Sequence, residues 1–235
     1  MNTDDERIAN AVKQTEILRP PRQTLASFGV TNIDYYLVTE PVYSEMVEGN
    51  SETVIREGKV IAEKPKIVTP YYLSRLEGFS SEARKYFNML IRVHGGNAPG
   101  LFYTYRNEPK ELNIVSDSLL SVVDKLNAEI DARGDQLASI IKGEDELWDV
   151  SLMKFIYELT RSSLQDNLAQ MSSRGLLDTD ASGVPADVRL RIDGLFANML
   201  RGDLEPGDLK AELDRWGLFE EYEDRFLAIF KKNRL

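Results

Sequence analysis

The side chains that most often carry out chemistry are scarce in this chain of 235 residues. It has no cysteine and a single histidine, His94. Without cysteine, the chain cannot form a disulfide, a thiolate nucleophile or a thiolate-bound metal centre. One imidazole cannot build a multi-histidine metal site within one chain, and it leaves His94 as the only ordinary base that titrates near neutrality.

His94 is followed by Gly95 and Gly96, an arrangement with which esterases donate backbone N–H groups to an oxyanion. The Gly-x-Ser-x-Gly element that would supply the nucleophile is absent from the sequence, and so are the glycine-rich phosphate-binding loops. A helix C-terminus explains the same three residues, because histidine suits the helix dipole and glycine the left-handed cap. The sequence therefore predicts no catalytic residue.

Residues 178–183 carry the sharpest local motif, Asp-Thr-Asp-Ala-Ser-Gly. The oxygen-bearing residues Asp178, Asp180 and Ser182 alternate and a glycine follows, so the segment resembles the first half of an EF-hand calcium loop. The second half departs from that pattern, since Arg189 stands where the loop needs a bidentate glutamate. We expect either an incomplete calcium site at these three residues or a polar connection between two helices, and no other cofactor.

Acidic residues form three further clusters, over 144–149, 203–208 and 220–224. Paired carboxylates can act as general acid and base or bind Mg²⁺. Most of these residues stand in the first turns of predicted helices, where the helix dipole stabilises negative charge. A carboxylate-based or magnesium-dependent hydrolase, with its site between sheet and helices, is therefore an alternative function.

The formal net charge of −10 is concentrated in the second half, with −1 over residues 1–115 and −9 over residues 116–235. Such an excess repels phosphate backbones and anionic lipids, so we expect neither nucleic acid nor a membrane as partner. The strand-like pair Tyr103 and Tyr105 could stack nucleic-acid bases, although it could equally belong to a half-buried sheet. The acidic half is either a solvated surface or a face for a basic partner.

The N-terminal segment is polar and acidic, and the sequence contains no run of roughly 18 apolar residues such as a membrane-spanning helix needs. A secretory signal also requires an apolar stretch near the N-terminus. We therefore expect a cytoplasmic protein.

The apolar pattern changes from strand-like to helical near residue 134. Before it, the pattern predicts strands that include a tight hairpin turning at Glu57-Gly58, together with helices over 81–93 and 117–132. After it, the spacing predicts helices alone, over residues 135–141, 145–173, 186–200, 207–216 and 218–232. We expect an α+β fold, with an antiparallel sheet and two packed helices in the N-terminal half and an all-helical bundle in the C-terminal half.

This pattern also predicts the domain organisation. The run Arg19-Pro20-Pro21-Arg22 forces extended backbone, so residues 1–22 are expected to form a flexible arm. An α+β domain would follow over residues 23–134 and an acidic helical domain over residues 135–235.

An apolar stripe near the C-terminus offers a surface that either joins the core or binds a partner. It consists of Trp216, Phe219, Tyr222, Phe226 and Phe230. Because reactive side chains are few, we expect a non-catalytic protein-binding or assembly module, such as an adaptor, regulatory or structural subunit, that binds another protein or itself. The alternatives are the hydrolase and a small-ligand sensor domain.

Overall fold

The computed structural model describes residues 3–41, 52–75, 88–89, 91–93, 95–96 and 99–232. Most of the predicted helix over 81–93 lies outside these residues, and so does His94. In chain order the elements are α1 (Thr3–Gln14), β1 (Glu16–Arg19), β2 (Thr31–Thr39), β3 (Thr53–Ala62), β4 (Lys66–Val68), α2 (Pro70–Ser74), β5 (Gly100–Phe102), β6 (Tyr105–Val115), α3 (Leu119–Arg133), β7 (Ser139–Lys142), α4 (Trp148–Ser173), α5 (Ala186–Arg201), α6 (Pro206–Trp216) and α7 (Phe219–Lys232).

The chain divides into two compact units, and each consists of two separate stretches. Unit 1 comprises residues 1–65 and 103–167, and unit 2 comprises residues 66–102 and 168–235. No helix in the described part of the chain combines the length and the apolar character that crossing a membrane requires.

Unit 1 is centred on a five-stranded sheet with the strand order β1-β7-β2-β3-β6. Every neighbouring pair is antiparallel except β2 and β7, which run parallel. The predicted α+β class is therefore confirmed. The predicted helix over 135–141 is wrong, because Ser139–Lys142 form strand β7 within the sheet. A short apolar run does not distinguish a buried strand from a buried helix.

Helices cover both faces of this sheet, because the side chains of β2 alternate between two apolar clusters. Ile33, Tyr35 and Leu37 pack in one cluster with Phe155 and other residues of α4. Tyr36 and Val38 pack in the other cluster with residues of α3, which are Val122, Val123, Leu126 and Ile130. The helical spacing predicts an inward face for these four residues and for Leu119, which packs half-buried against the same cluster. Ser118 caps the helix by accepting the N–H of Ser121.

The predicted hairpin at Glu57-Gly58 is wrong, because β3 runs without a turn from Thr53 to Ala62. Gly58 lies opposite Tyr35 on β2, and a Cβ atom at Gly58 would overlap the phenol ring of Tyr35. Gly58 therefore allows the ring of Tyr35 to lie close to the backbone of β3. The sequence alone does not distinguish a strand glycine of this kind from a glycine in a turn.

Unit 2 contains the two-stranded antiparallel sheet of β4 and β5 and the helices α5, α6 and α7. The three helices agree with the predicted ones to within a residue or two at each end. They enclose an apolar cluster whose buried members are Val184, Val188, Ile192, Phe196, Met199, Leu209, Leu213, Trp216, Leu218, Phe226 and Ile229.

The boundaries of these units differ from the predicted domain boundaries, which follow residues 22 and 134. Residues 1–22, expected to form a flexible arm, contain α1 and β1, and β1 pairs with β7. Residues 66–102 belong with the C-terminal helices rather than with the first sheet. Local pattern separates strand from helix, whereas the units are defined by pairings between residues far apart in sequence.

We expect the substitution Gly58→Ala to lower the free energy of unfolding by about 1–3 kcal/mol, because the added methyl group must displace the ring of Tyr35. Gly29→Ala is the matched control in the same unit, since a Cβ atom there would meet no atom within 4 Å. Chemical denaturation of both variants measures the difference. Equal unfolding free energies for the two variants would contradict the assigned role of Gly58.

Candidate functional site

In the predicted calcium loop, Asp180 binds an arginine, Arg189. Oδ1 of Asp180 accepts the backbone N–H groups of Ser182 and Val184 at 2.8 and 3.0 Å. Oδ2 of Asp180 accepts Nε and Nη2 of Arg189 at 2.9 and 2.6 Å. Burial by itself would raise the pKa of Asp180, but these hydrogen bonds and the charge of Arg189 outweigh it and lower that pKa.

Arg189 thus supplies the positive charge that a cation would bring to this loop. Its Nη1 also donates to Glu221 at 2.7 Å and to the hydroxyl of Tyr222 at 3.2 Å, which ties the loop to α7. Ser182 contributes a backbone N–H to Asp180, while the carboxylate of Asp178 lies beside Gly175. Among the residues that the structure describes, no three acidic or histidine side chains come together as a metal site. The polar helix connection is therefore the better interpretation of the motif.

The apolar stripe near the C-terminus lies in the core of unit 2. Trp216 and Phe226 are buried in its apolar cluster, and Phe219 and Tyr222 pack against that cluster half-buried. The side chain of Phe230 lies outside the described ones. Of the two possibilities left open by the sequence, packing within the unit explains these contacts without a partner.

The predicted stacking pair is also turned inward, in unit 1. The hydroxyl of Tyr103 accepts Nδ2 of Asn167 at 3.0 Å, and the hydroxyl of Tyr105 is hydrogen-bonded to that of Thr160. The two rings are stacked 6.4 Å apart against α4, and burial raises the pKa of both tyrosines. These contacts favour the half-buried sheet over a surface for stacking bases.

A polar cluster that the sequence does not reveal surrounds the carboxylate of Glu212 in unit 2. Glu212 accepts hydrogen bonds from Tyr72, Arg191, Arg215 and Trp216 at 3.1, 3.0, 3.4 and 3.3 Å respectively. One carboxylate therefore compensates two guanidinium groups that are largely removed from water. Burial, followed by the charge of Glu212, raises the pKa of the Tyr72 hydroxyl. The cluster links α2 to α5 and α6, which is a structural role.

Each of the three predicted acidic clusters contributes at least one carboxylate to an ion pair. Oδ1 of Asp145 lies 2.8 Å from Arg56 and accepts the hydroxyl of Thr39 at 2.8 Å. Asp203 pairs with Arg201 at 3.1 Å, and Glu221 pairs with Arg189 as described above. Carboxylates held in this way are poor candidates for the hydrolase, because their lone pairs are already engaged.

Two carboxylates do face each other across unit 1, at Glu57 on β3 and Glu111 on β6. Burial, and then the charge of Glu111, raises the pKa of Glu57 above its ordinary value of 4.5. Glu111 is exposed, so the pair lies on an open surface. It lacks the enclosed cavity that the hydrolase requires.

Two cavities bear on the ligand-sensor alternative. One of about 350 Å³ in unit 1 lies between the Pro20-Pro21 segment and α4, and its lining includes Phe155, Leu159 and Glu158. Most of its lining surface is apolar, although Arg22, Gln23, Thr24 and Ser162 also border it, and Glu158 is paired with Lys154. The other, about 360 Å³ in unit 2, is lined by Ser182, Trp216 and Glu221 among others. Glu221 is already paired with Arg189, so the other polar side chains of this lining are the uncharged ones of Thr69, Tyr71 and Ser182.

Among the described strands, none pairs with the outer side of β6 in unit 1. β6 is an edge strand that pairs only with β3, and none of its residues from Tyr105 to Val115 is buried. The other edge strand, β1, has four residues. Because β6 is the longer edge strand, it presents the longest row of main-chain N–H and C=O groups without a partner strand in the described sheet.

The two halves of β6 differ in how they resist the addition of another strand. Pro109 and the bulge at Lys110 lie in the first half, and both features discourage pairing. Residues 111–115 contain neither proline nor lysine, and their register with β3 is regular. They also carry Leu112 and Ile114, which are 59% and 55% exposed. This segment is therefore the part of the edge that can accept a strand.

Leu112 and Ile114 point toward the face of the sheet that α4 covers. They lie opposite Arg56 and Val54 on β3, which in turn lie opposite Leu37 and Thr39 on β2. Leu37 packs in the cluster of α4. Since residues opposite each other in a sheet share a face, the two exposed side chains of β6 lie on the same side as α4.

α4 runs alongside β6 in the opposite direction. Its first residue, Trp148, stacks at 5.7 Å on Arg56, the residue opposite Leu112. Farther along the helix, Thr160 contacts Tyr105, the first residue of β6. Met153 and Tyr157 precede Thr160 at spacings that place all three on one side of the helix.

Met153 and Tyr157 are 62% and 67% exposed, and they share the helix side on which Thr160 contacts β6. With Leu112 and Ile114 they form what we call the β6–α4 surface, four large uncharged side chains beside an open strand. Alternating strand residues do not reveal this surface in the sequence, because a half-buried strand inside a sheet has the same pattern.

We expect Glu212→Ala to lower the free energy of unfolding by about 3 kcal/mol, because it leaves Arg191 and Arg215 without their counter-charge. Asp214→Ala is the control on the same helix. It removes an exposed pair with Lys210 and should cost about 1 kcal/mol or less. Denaturation followed by tryptophan fluorescence compares them, and similar losses would contradict the assigned role of Glu212.

We expect Glu57→Gln to stabilise the protein at neutral pH. The raised pKa means that the folded state binds a proton more readily than the unfolded state, so the wild type loses stability as pH rises through that pKa. Below 4.5 the wild type and variant should converge. Melting temperatures between pH 4 and 8 test this, with the exposed Glu63→Gln as control for a lost negative charge. A constant difference across this range would refute the linkage.

No family model, curated protein or solved structure matches this chain. Within the described part of the chain, the edge of β6 and the adjoining β6–α4 surface offer main-chain groups and apolar side chains that the sheet does not use.

Proposed function

We propose that this chain is a non-catalytic binding module that takes up an extended segment of a protein partner along β6. The observation that carries the proposal is the open segment 111–115 beside the β6–α4 surface. The proposal retains the cytoplasmic location and the absence of a nucleic-acid partner that the sequence predicts.

Strand addition uses two kinds of interaction at this edge. Main-chain hydrogen bonds along the outer side of β6 supply affinity that depends little on the partner's sequence. Every second side chain of the added strand then faces the α4 side of the sheet, where Leu112, Ile114, Met153 and Tyr157 can cover it. The preferred partner segment therefore carries apolar residues at alternate positions.

The uncharged character of this surface also limits the kind of partner. Leu112, Ile114, Met153 and Tyr157 carry no charge in a chain in which 29% of residues are charged. Recognition at such a surface depends on shape and main-chain pairing more than on electrostatic attraction.

A peptide of sequence Lys-Thr-Val-Thr-Val-Thr-Lys, blocked at both ends and fluorescently labelled, tests the proposal on the full chain. We expect it to bind the wild type, and we expect the double variant Leu112→Lys and Ile114→Lys to weaken binding by at least about tenfold. The introduced lysines remove the apolar contacts and repel the peptide's own lysines. Fluorescence anisotropy measures the binding.

Two controls make the result specific. Leu190 and Leu200 on α5 are each 62% exposed, so replacing both with lysine matches the change in charge at another surface, and it should leave binding unaltered. The same peptide with its central peptide nitrogens methylated lacks the N–H donors of a strand and should not bind. Binding of the methylated peptide, or equal weakening by both double variants, would overturn strand addition at β6.

A further inference from the structure

We infer that the segment added to β6 comes from a second copy of this chain, paired antiparallel about a twofold axis through Asn113. The inference rests on the proposed function and names its partner. Closed twofold dimers are the commonest assemblies of soluble proteins, and each copy then uses the same surface.

The sequence around Asn113 is suited to pairing with itself. With the axis at Asn113, Leu112 of each copy lies opposite Ile114 of the other copy, on the face that α4 covers. Apolar cross-strand pairs of this kind stabilise a sheet. An axis at Leu112 would place Ile114 opposite Lys110, and an axis at Ile114 would place Leu112 opposite Ser116. Each of those registers keeps a single apolar pair, between the two copies of the axis residue, whereas the Asn113 register forms two.

The charges on β6 are compatible with this register. Glu111 of one copy lies opposite Val115 of the other copy, so the two Glu111 side chains do not face each other. Arg106 pairs with Glu108 at 3.0 Å, and Lys110 pairs with Asp34 at 2.6 Å within the same copy. The basic groups of the strand are thus compensated within each copy and need no acidic partner.

Charge also distinguishes a second copy from a basic partner. Each chain has a net charge of −10, so two copies repel at long range while the paired strip of Leu112 and Ile114 is uncharged. Added salt screens that repulsion and should strengthen the dimer. Salt would weaken binding to a basic partner, since the attraction would then be electrostatic.

A single cysteine at the axis tests the pairing directly, because the chain has no cysteine of its own. Residues opposite each other in antiparallel strands have Cα atoms about 4.5–5.5 Å apart, within reach of a disulfide. We expect Asn113→Cys to form a disulfide-linked dimer under mild oxidation at least about tenfold faster than Leu190→Cys or Leu200→Cys. Non-reducing electrophoresis and mass measurement follow the reaction.

Sedimentation equilibrium of the unmodified chain supplies the second measurement. We expect a dimer whose dissociation constant decreases when the NaCl concentration is raised from about 0.05 to about 0.5 M, because the Debye length shortens. The double variant Leu112→Lys and Ile114→Lys should raise that constant by at least about tenfold, and the matched double variant at Leu190 and Leu200 should not.

The two proposals fail in different ways. A monomer at both salt concentrations, with Asn113→Cys no faster than the control cysteines, overturns the self-pairing. A dimer whose dissociation constant is unchanged by the Leu112 and Ile114 substitutions also overturns the self-pairing. If the strand peptide still binds in either case, strand addition at β6 stands with another partner, and if it does not bind, both proposals are lost.

Discussion

The constraint on which unit 1 depends is the burial of β2 on both of its faces. Ile33, Tyr35 and Leu37 pack toward α4, while Tyr36 and Val38 pack toward α3. The central strand β2 is therefore closed to a ligand or a partner on both faces. A further strand can pair only at the edges of the sheet, which are β1 and β6.

The two edges differ in length and in their neighbours. β1 is short, its register with β7 shifts between Ile17 and Arg19, and Arg19 binds Asn127 and Asp131 at 2.9 and 2.6 Å. β6 is longer and mostly exposed, and its proline and bulge protect only its first half. An edge that is protected along half of its length suits controlled pairing, because uncontrolled pairing would lead to aggregation.

The sequence predicts the elements whose signals are local and misses those that depend on a distant partner. Helix α3 is recognisable from the spacing of Val122 and Ile130 because a helix satisfies its own backbone. In the sequence Gly58 indicates a turn, because its contact with the distant Tyr35 is not visible there. The strand that contains Ile140 and Ile141 depends likewise on its two neighbours in the sheet, β1 and β2. The exposure of Leu112 and Ile114 is not predictable either, since alternation gives the face of a strand but not its neighbours.

Three carboxylates of unit 2 serve as counter-charges for arginines. Asp180 and Glu221 hold Arg189, and Glu212 holds Arg191 and Arg215. These pairs engage the lone pairs that a metal ion or a substrate proton would need. The main chain of β6 is different, because its outer hydrogen-bonding groups have no partner strand in the described sheet. A protein whose backbone is open along one strand is suited to recognise another backbone.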